Sequence, residues 1–264
     1  MNTNLLIKRF IRGILKKSLN LPIPFKILKV IEKWSQYSQG KGCSLISIET
    51  EINSCIGLLN RQPRVFLDIG SNKGLYTQEL LKKNSALECH LFEPSKLNIK
   101  HLKKEFSLKK KVFINQFALS DRKSKGQLYF DYEGSGTASL TKRRLDHFDI
   151  KINKEEDILL QRFDEYWKEE QGIIDYVKVD VEGHELDVLK GFGKFISLTK
   201  LIQFEFGGTC IDSRIYFQDF WYFFLENNFE IYRISPRGPV LIKTYSENDE
   251  LFVYTNYIAV NKLI

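Results

Sequence analysis

The sequence predicts an α/β protein built on a mostly parallel, doubly wound sheet, and three observations carry that expectation. The segment Val65-Phe66-Leu67-Asp68-Ile69-Gly70-Ser71-Asn72-Lys73-Gly74 is a short apolar run that breaks into a glycine turn. This is the form of a central strand, buried on both faces, that turns sharply into a helix. Downstream, apolar runs of strand length alternate with helix-compatible segments, an order that places parallel strands in one sheet with helices on both faces. Finally, 264 residues with 43% apolar and 28% charged side chains suffice for one such core. No apolar run is long enough to cross a bilayer.

Taken in order, residues 65–69 form the first strand and residues 75–83 a helix. Residues 88–92, 96–106 and 112–117 follow as strand, helix and strand. Residues 122–160 interrupt the alternation. There, Gln127-Leu128-Tyr129-Phe130 has strand character, Gly134-Ser135-Gly136-Thr137-Ala138-Ser139 is a loop of small residues, and residues 142–157 are strongly charged. An excursion of that length inside a domain is commonly functional. Alternation resumes with a strand at 173–179, a helix from Glu185, a strand at 201–206 and an aromatic helix near 217–227. Residues 229–233 and 257–260 then close the sheet as a hairpin. Phe217, Phe220, Trp221, Phe223 and Phe224 recur at helical spacing, which assigns them to core. Cys43, Cys55, Cys89 and Cys210 show no C-x-x-C spacing and are expected to be reduced structural thiols.

The leader, residues 1–43, is expected to be a helical extension to a domain spanning 44–264. Residues 1–33 hold eight basic residues against one acidic, while the whole chain has a formal net charge of +7, so the remainder is neutral. Leu6, Ile7, Phe10, Ile11, Ile14 and Leu15 recur at helical spacing opposite Lys8, Arg9, Arg12, Lys16 and Lys17. Such a basic amphipathic helix can lie on an anionic membrane surface, or dock its apolar face on the main domain or a second copy of the chain. The expected location is cytoplasmic, with peripheral contact to the inner membrane face where the leader binds lipid.

At the first turn, Gly70 and Gly74 let the backbone approach a ligand in the crevice at the strand's carboxyl end. A G-x-G-x-x-G fingerprint would need glycine where Asn72 and Leu75 stand, which argues against a pyrophosphate and hence against a nicotinamide oxidoreductase. Glu93 follows the second strand, where a carboxylate can accept both ribose hydroxyls of an adenosine. An adenosine cofactor without a phosphate cradle points to S-adenosylmethionine. Asp68 could then reach the cofactor's amino group. Asn72 could meet its carboxylate or merely occupy a left-handed position, and Asp121 could accept the adenine amino group or serve as a turn residue.

These pieces, with the dense segment from Asp175 to Gly191, resemble the FkbM family of methyltransferases. The resemblance runs in family order through Phe66 to Gly74, Phe92-Glu93-Pro94-Ser95, Ala118-Leu119-Ser120-Asp121, Ser135-Gly136-Thr137-Ala138-Ser139-Leu140, Phe163-Asp164-Glu165-Tyr166, Asp180 to Gly191 and Phe204-Glu205-Phe206. It covers residues 62–208 and departs in detail, with Ser71 where alanine is frequent and Arg162-Phe163-Asp164 where threonine-leucine-aspartate is usual. The resemblance implies a Rossmann-like class I methyltransferase fold with seven strands, the last antiparallel. It also implies S-adenosylmethionine-dependent methylation of a hydroxyl.

Asp180, Glu182, His184 and Glu185 follow the fourth parallel strand, and Asp180 is a candidate for both cofactor binding and catalysis. Methyl transfer to a hydroxyl requires in-line alignment and removal of a proton. His184 has a suitable ordinary pKa for a base, and Asp180 or Glu182 could orient it or take the proton instead. Glu185 suits the helix N-terminus. Asp180, Glu182, Glu205 and His184 contain ligand atoms for a divalent cation but form no convincing set, so no metal is expected. The acceptor is expected to be a small molecule or a glycan hydroxyl. A nucleic acid is disfavoured, because Asp180-Val181-Glu182-Gly183 replaces the Asn/Asp-Pro-Pro-Tyr/Phe of amino-methylating enzymes and the neutral domain offers no phosphate-binding stripe.

Overall fold

β1, Val65–Ile69, runs through the middle of the protein because four of its five residues can be buried. In the computed structural model, which describes residues 24–42 and 46–264 together with helical residues 9, 11–13 and 16, β1 pairs in parallel on both sides. Its neighbours are β2, Glu88–Phe92, and β7, Ile174–Val179. Beyond β2 lies β3, Val112–Asn115, and beyond β7 lies β8, Thr199–Phe206, both parallel. β11, Thr255–Asn261, then pairs antiparallel to β8 and to β9, Phe229–Ser235, and β10, Gly238–Ile242, ends the sheet. The spatial order is therefore β10-β9-β11-β8-β7-β1-β2-β3.

This is the expected doubly wound architecture with an antiparallel last strand, and two details correct the sequence reading. The sheet has eight strands where seven were expected, because β10, which contains Pro239, adds an edge strand. Proline is tolerated there because an edge strand can spare an amide donor. The closing hairpin is formed by β9 and β10, and β11 returns afterwards to insert between β9 and β8.

Helices cover both faces. α1 is Phe25–Ser38. α2, Ile48–Leu59, starts at Ser47, whose side chain accepts the Thr50 amide, with Glu49 and Glu51 in the first turn. It shares one apolar cluster with α3, Leu75–Lys83, and α4, Lys96–Glu105, through Ile52, Cys55, Leu80, Ile99 and Leu102 against Phe66, Cys89 and Leu91 of the sheet. The opposite face packs Leu67, Ile69, Val177, Val179 and Phe204 against α5, Phe163–Tyr166, α6, Glu185–Gly191, and α7, Phe217–Glu226. Phe217, Phe220 and Phe224 are fully buried there, as the aromatic spacing predicts, whereas Trp221 and Phe223 are only partly buried. Cys55, Cys89 and Cys210 are buried free thiols. Cys43 and most of the leader stripe (Leu6, Ile7, Phe10, Ile14 and Leu15) lie outside the described residues. No helix among the described residues is long and apolar enough to cross a membrane.

The excursion between β3 and β7 is a small sheet of its own rather than one strand and a loop. Its order is β4-β6-β5, with β4 at Ala118–Leu119, β5 at Ser124–Phe130 and β6 at Lys154–Gln161. Leu128, Phe130, Ile158 and Leu160 give it a separate apolar cluster. Charge hid β6 from the sequence reading, because only its inward positions Ile158 and Leu160 are buried.

Candidate active site

The carboxyl ends of β1, β2, β7 and β8 converge on one cavity. Its lining includes Gly70, Asn72, Glu93, Asn98, Asp180, Glu182, His184, Glu205 and Tyr254, with Ser135, Gly136 and Leu140 of the excursion closing it from above. The turn after β1 is forced to carry glycine. Gly70 has φ +81°, and a Cβ there would meet the Asp180 carbonyl oxygen at 1.8 Å. β1 and β7 can thus splay only by a glycine's width at this edge. Gly70→Ala is expected to lower the thermal midpoint by at least ~5 °C, since left-handed strain alone costs ~1–3 kcal/mol and the Asp180 carbonyl must move as well. Differential scanning calorimetry checks this, and an unchanged midpoint would show that the turn relaxes freely.

Gly74, also left-handed at φ +77°, is glycine for a different reason. A Cβ there would run into Phe106 and Leu102 of the α4 region, so it serves helix packing and does not line the cavity. Asp68 is likewise not a cavity residue. It lies one residue before the end of β1, on the face shared with Phe66, where its carboxylate accepts the Thr77 hydroxyl at 2.5 Å. Burial pushes its pKa up, against the pull of nearby Lys178. Asp121 is also outside the lining. Its carboxylate accepts the Ser120 hydroxyl at 3.1 Å and its backbone carbonyl takes a guanidinium N–H from Arg162.

The other sequence candidates meet. Glu93 is buried and pinned: one carboxylate oxygen accepts the Asn72 amide at 2.9 Å, and the other accepts the Ser95 amide at 2.9 Å and the Asn98 side-chain amide at 3.4 Å. Burial raises its pKa, and those hydrogen bonds oppose the rise. Asn72 sits at φ +47°, and its side-chain carbonyl oxygen is buried without a partner. The Asn98 carbonyl oxygen is in the same condition, with the residue only 2% exposed. Two buried amide oxygens left unsatisfied beside a pinned carboxylate suit a ligand rich in donors.

The segment after β7 supplies the reactive groups. Asp180 accepts the Lys178 ammonium at 2.5 Å. Glu182 adopts φ +56°, a costly conformation for a residue with a side chain. The excursion holds it in place: Arg143 donates to its carboxylate at 2.7 Å, and the Ser139 hydroxyl donates to its backbone carbonyl at 2.7 Å. Burial first, then the charge of Asp180, pushes the Glu182 carboxyl up to about 8, with Arg143 opposing. Glu205, at the end of β8, is raised well above the ordinary carboxyl value by burial and by Asp180 and Glu182. Glu185 accepts the amides of Val181 and Gly183, both at 3.1 Å, and so fixes the turn ahead of α6.

His184 lines the cavity, but both ring nitrogens are engaged: Nε2 lies 3.0 Å from the Ser120 hydroxyl and Nδ1 3.3 Å from Asp187. Asp187 and Ser120, and neither Asp180 nor Glu182, orient the imidazole. Burial lowers its pKa, with Asp187 opposing. Asn98, Arg143, Ser120 and Tyr254 were not legible as site residues, and only Ser120 stood inside a motif. Among the described residues no three His, Cys, Asp or Glu side chains group as a cation site.

The profile of the Methyltransferase FkbM domain matches residues 68–231, which span the cavity's four strand ends and the excursion above them. The chain belongs to the FkbM methyltransferase family. It is an S-adenosylmethionine-dependent methyltransferase. Among curated relatives it is 23% identical over 195 residues to the 2-O-methyltransferase NoeI of Sinorhizobium fredii (strain NBRC 101917 / NGR234), an alignment covering 68% of this chain and 78% of that protein. Two solved structures are similar at lower identity. One is the plantazolicin methyltransferase BamL in complex with a triazolic desmethylPZN analog and SAH, at 12% identity and TM-score 0.48, covering 81% of this chain and 84% of that one. The other is precorrin-6y C5,15-methyltransferase from Geobacter metallireducens GS-15, at 13% identity and TM-score 0.43, covering 83% and 91%. Scores this low carry no activity from those proteins to this FkbM domain.

Proposed function

We propose that this FkbM protein transfers a methyl group from S-adenosylmethionine to a hydroxyl of a sugar, in a surface glycan or a secondary metabolite, with Glu182 accepting the hydroxyl proton. The observation that carries the reading is the pairing, in one cavity, of a pinned ribose-type acceptor with a carboxyl of raised pKa. Glu93 and the unpartnered Asn98 oxygen offer acceptors for ribose hydroxyls, and Asn72 offers its amide to the amino-acid end. The cofactor fits this donor and acceptor set. When bound it supplies an electrophilic methyl on a cationic sulfur.

The protein's own part is to hold the acceptor hydroxyl in line and to take its proton. Glu182 is suited to that task because a base works best with a pKa near the operating pH. Arg143 fixes the Glu182 carboxylate and ties the excursion to the segment after β7. The hydroxyl acceptor is further supported by NoeI, whose name places its methyl on oxygen. Mass spectrometry of surface glycans with and without the protein is expected to show one species differing by about 14 Da, one added CH₂. Labelled methyl appearing only on nitrogen, in an assay with amine and hydroxyl acceptors together, would overturn the oxygen assignment.

A further inference from the structure

α1 extends from the catalytic domain with its apolar side uncovered. None of its residues is buried. Ile27, Val30, Ile31 and Trp34, at helical positions i, i+3, i+4 and i+7, form one face, with Val30 67% and Trp34 69% exposed. Lys26, Lys29 and Lys33 run along the adjoining face, all exposed. Among the described residues, the turn after the helix is what hydrogen bonds tie to the sheet. The Gln39 carbonyl accepts the Arg233 guanidinium at 2.8 Å, and the Gly42 amide donates to the Thr255 hydroxyl at 3.2 Å. Gly40 is seated so closely on the backbone of Ile234 and Ser235 that a Cβ would meet the Ile234 carbonyl oxygen at 2.1 Å. Ser235 ends β9 and Thr255 begins β11 beside the cavity residue Tyr254, so the helix is anchored at the same edge of the sheet that holds the active site.

Charge decides what covers this face. A second copy would bring two rows of lysines together. The described leader residues Arg9, Arg12 and Lys16 are also exposed, and residues 1–33 carry eight basic residues against one acidic. An anionic lipid surface satisfies both faces at once, since it buries the aliphatic side chains and the indole at the headgroup boundary while the lysines meet negative headgroups.

We propose that α1, with the basic segment ahead of it, docks the catalytic edge of this protein on an anionic bilayer. The test is sedimentation of the full chain with vesicles of phosphatidylcholine alone or containing about one third phosphatidylglycerol. The expected result is binding to the anionic vesicles only, reduced severalfold in about 0.5 M salt. Ile31→Asp with Trp34→Asp, or glutamine at Lys26, Lys29 and Lys33 together, is expected to lower the bound fraction at least about tenfold with the melting temperature unchanged. Wild-type binding by both variants, or no binding to anionic vesicles, would overturn the proposal. So would a lipid-free dimer that the aspartate variant dissociates, because the face would then belong to a second copy.

Discussion

Replacing Glu182 by glutamine is expected to lower turnover by about 10² or more, the scale of a lost general base, while changing cofactor affinity far less. The pH profile identifies the group. For the free enzyme, kcat/KM should rise with pH and level off above about 8, the value to which burial and Asp180 push this carboxyl. The sign follows from the chemistry: Glu182 must be ionised to accept a proton, so activity is lost as pH falls through that value. Arg143 stabilises the ionised form, and Arg143→Gln should therefore move the limb to higher pH. If His184 were the base, the limb would fall below the ordinary imidazole value, because burial lowers its pKa. In that case Glu182→Gln would keep the wild-type profile and the assignment would fail.

The contrast between Glu182 and His184 shows where the sequence was legible and where it was not. Strand ends were legible: Gly70, Glu93 and Asp180 each follow an apolar run, and a doubly wound sheet brings such ends to one edge. Side-chain direction within that edge was harder to read. Asp68 looked like a ligand residue because it precedes Gly70, yet strand alternation puts it with Phe66 and turns it toward Thr77. His184 looked available because three carboxylates flank it, but the chain's return through β4 places Ser120 on its free nitrogen. Asn98 and Arg143 lie in a helix and a loop with no motif of their own. Only tertiary contact reveals them, Asn98 through Glu93 and Arg143 through Glu182. A buried network on the far side of the sheet was invisible for the same reason: Gln203 accepts from Tyr176 at 2.7 Å and donates to Glu51 at 2.6 Å.

Glu93→Ala is expected to weaken S-adenosylmethionine binding by about 10² or more, measured by titration calorimetry. Hydrogen bonds to a charged acceptor are worth ~1.5–3 kcal/mol each, and the variant also frees the Asn72 amide that the carboxylate now holds. The turn carrying Gly70 and Asn72 then keeps only the bonds from the Gly70 and Ser71 amides to the Phe92 carbonyl of β2, so Asn72 loses its fixed position along with the ribose acceptor. Asn98→Ala separates the contributions. Glu93 keeps its two backbone amides in that variant, so the loss should be nearer tenfold, the share of one neutral acceptor in a buried place. A Glu93→Ala protein that melts normally and binds S-adenosylmethionine with wild-type affinity would show that the adenosine lies elsewhere. Equal losses in the two variants would instead mean that Asn98 acts by holding Glu93 in place, since its amide reaches that carboxylate at 3.4 Å while its own oxygen waits unpaired.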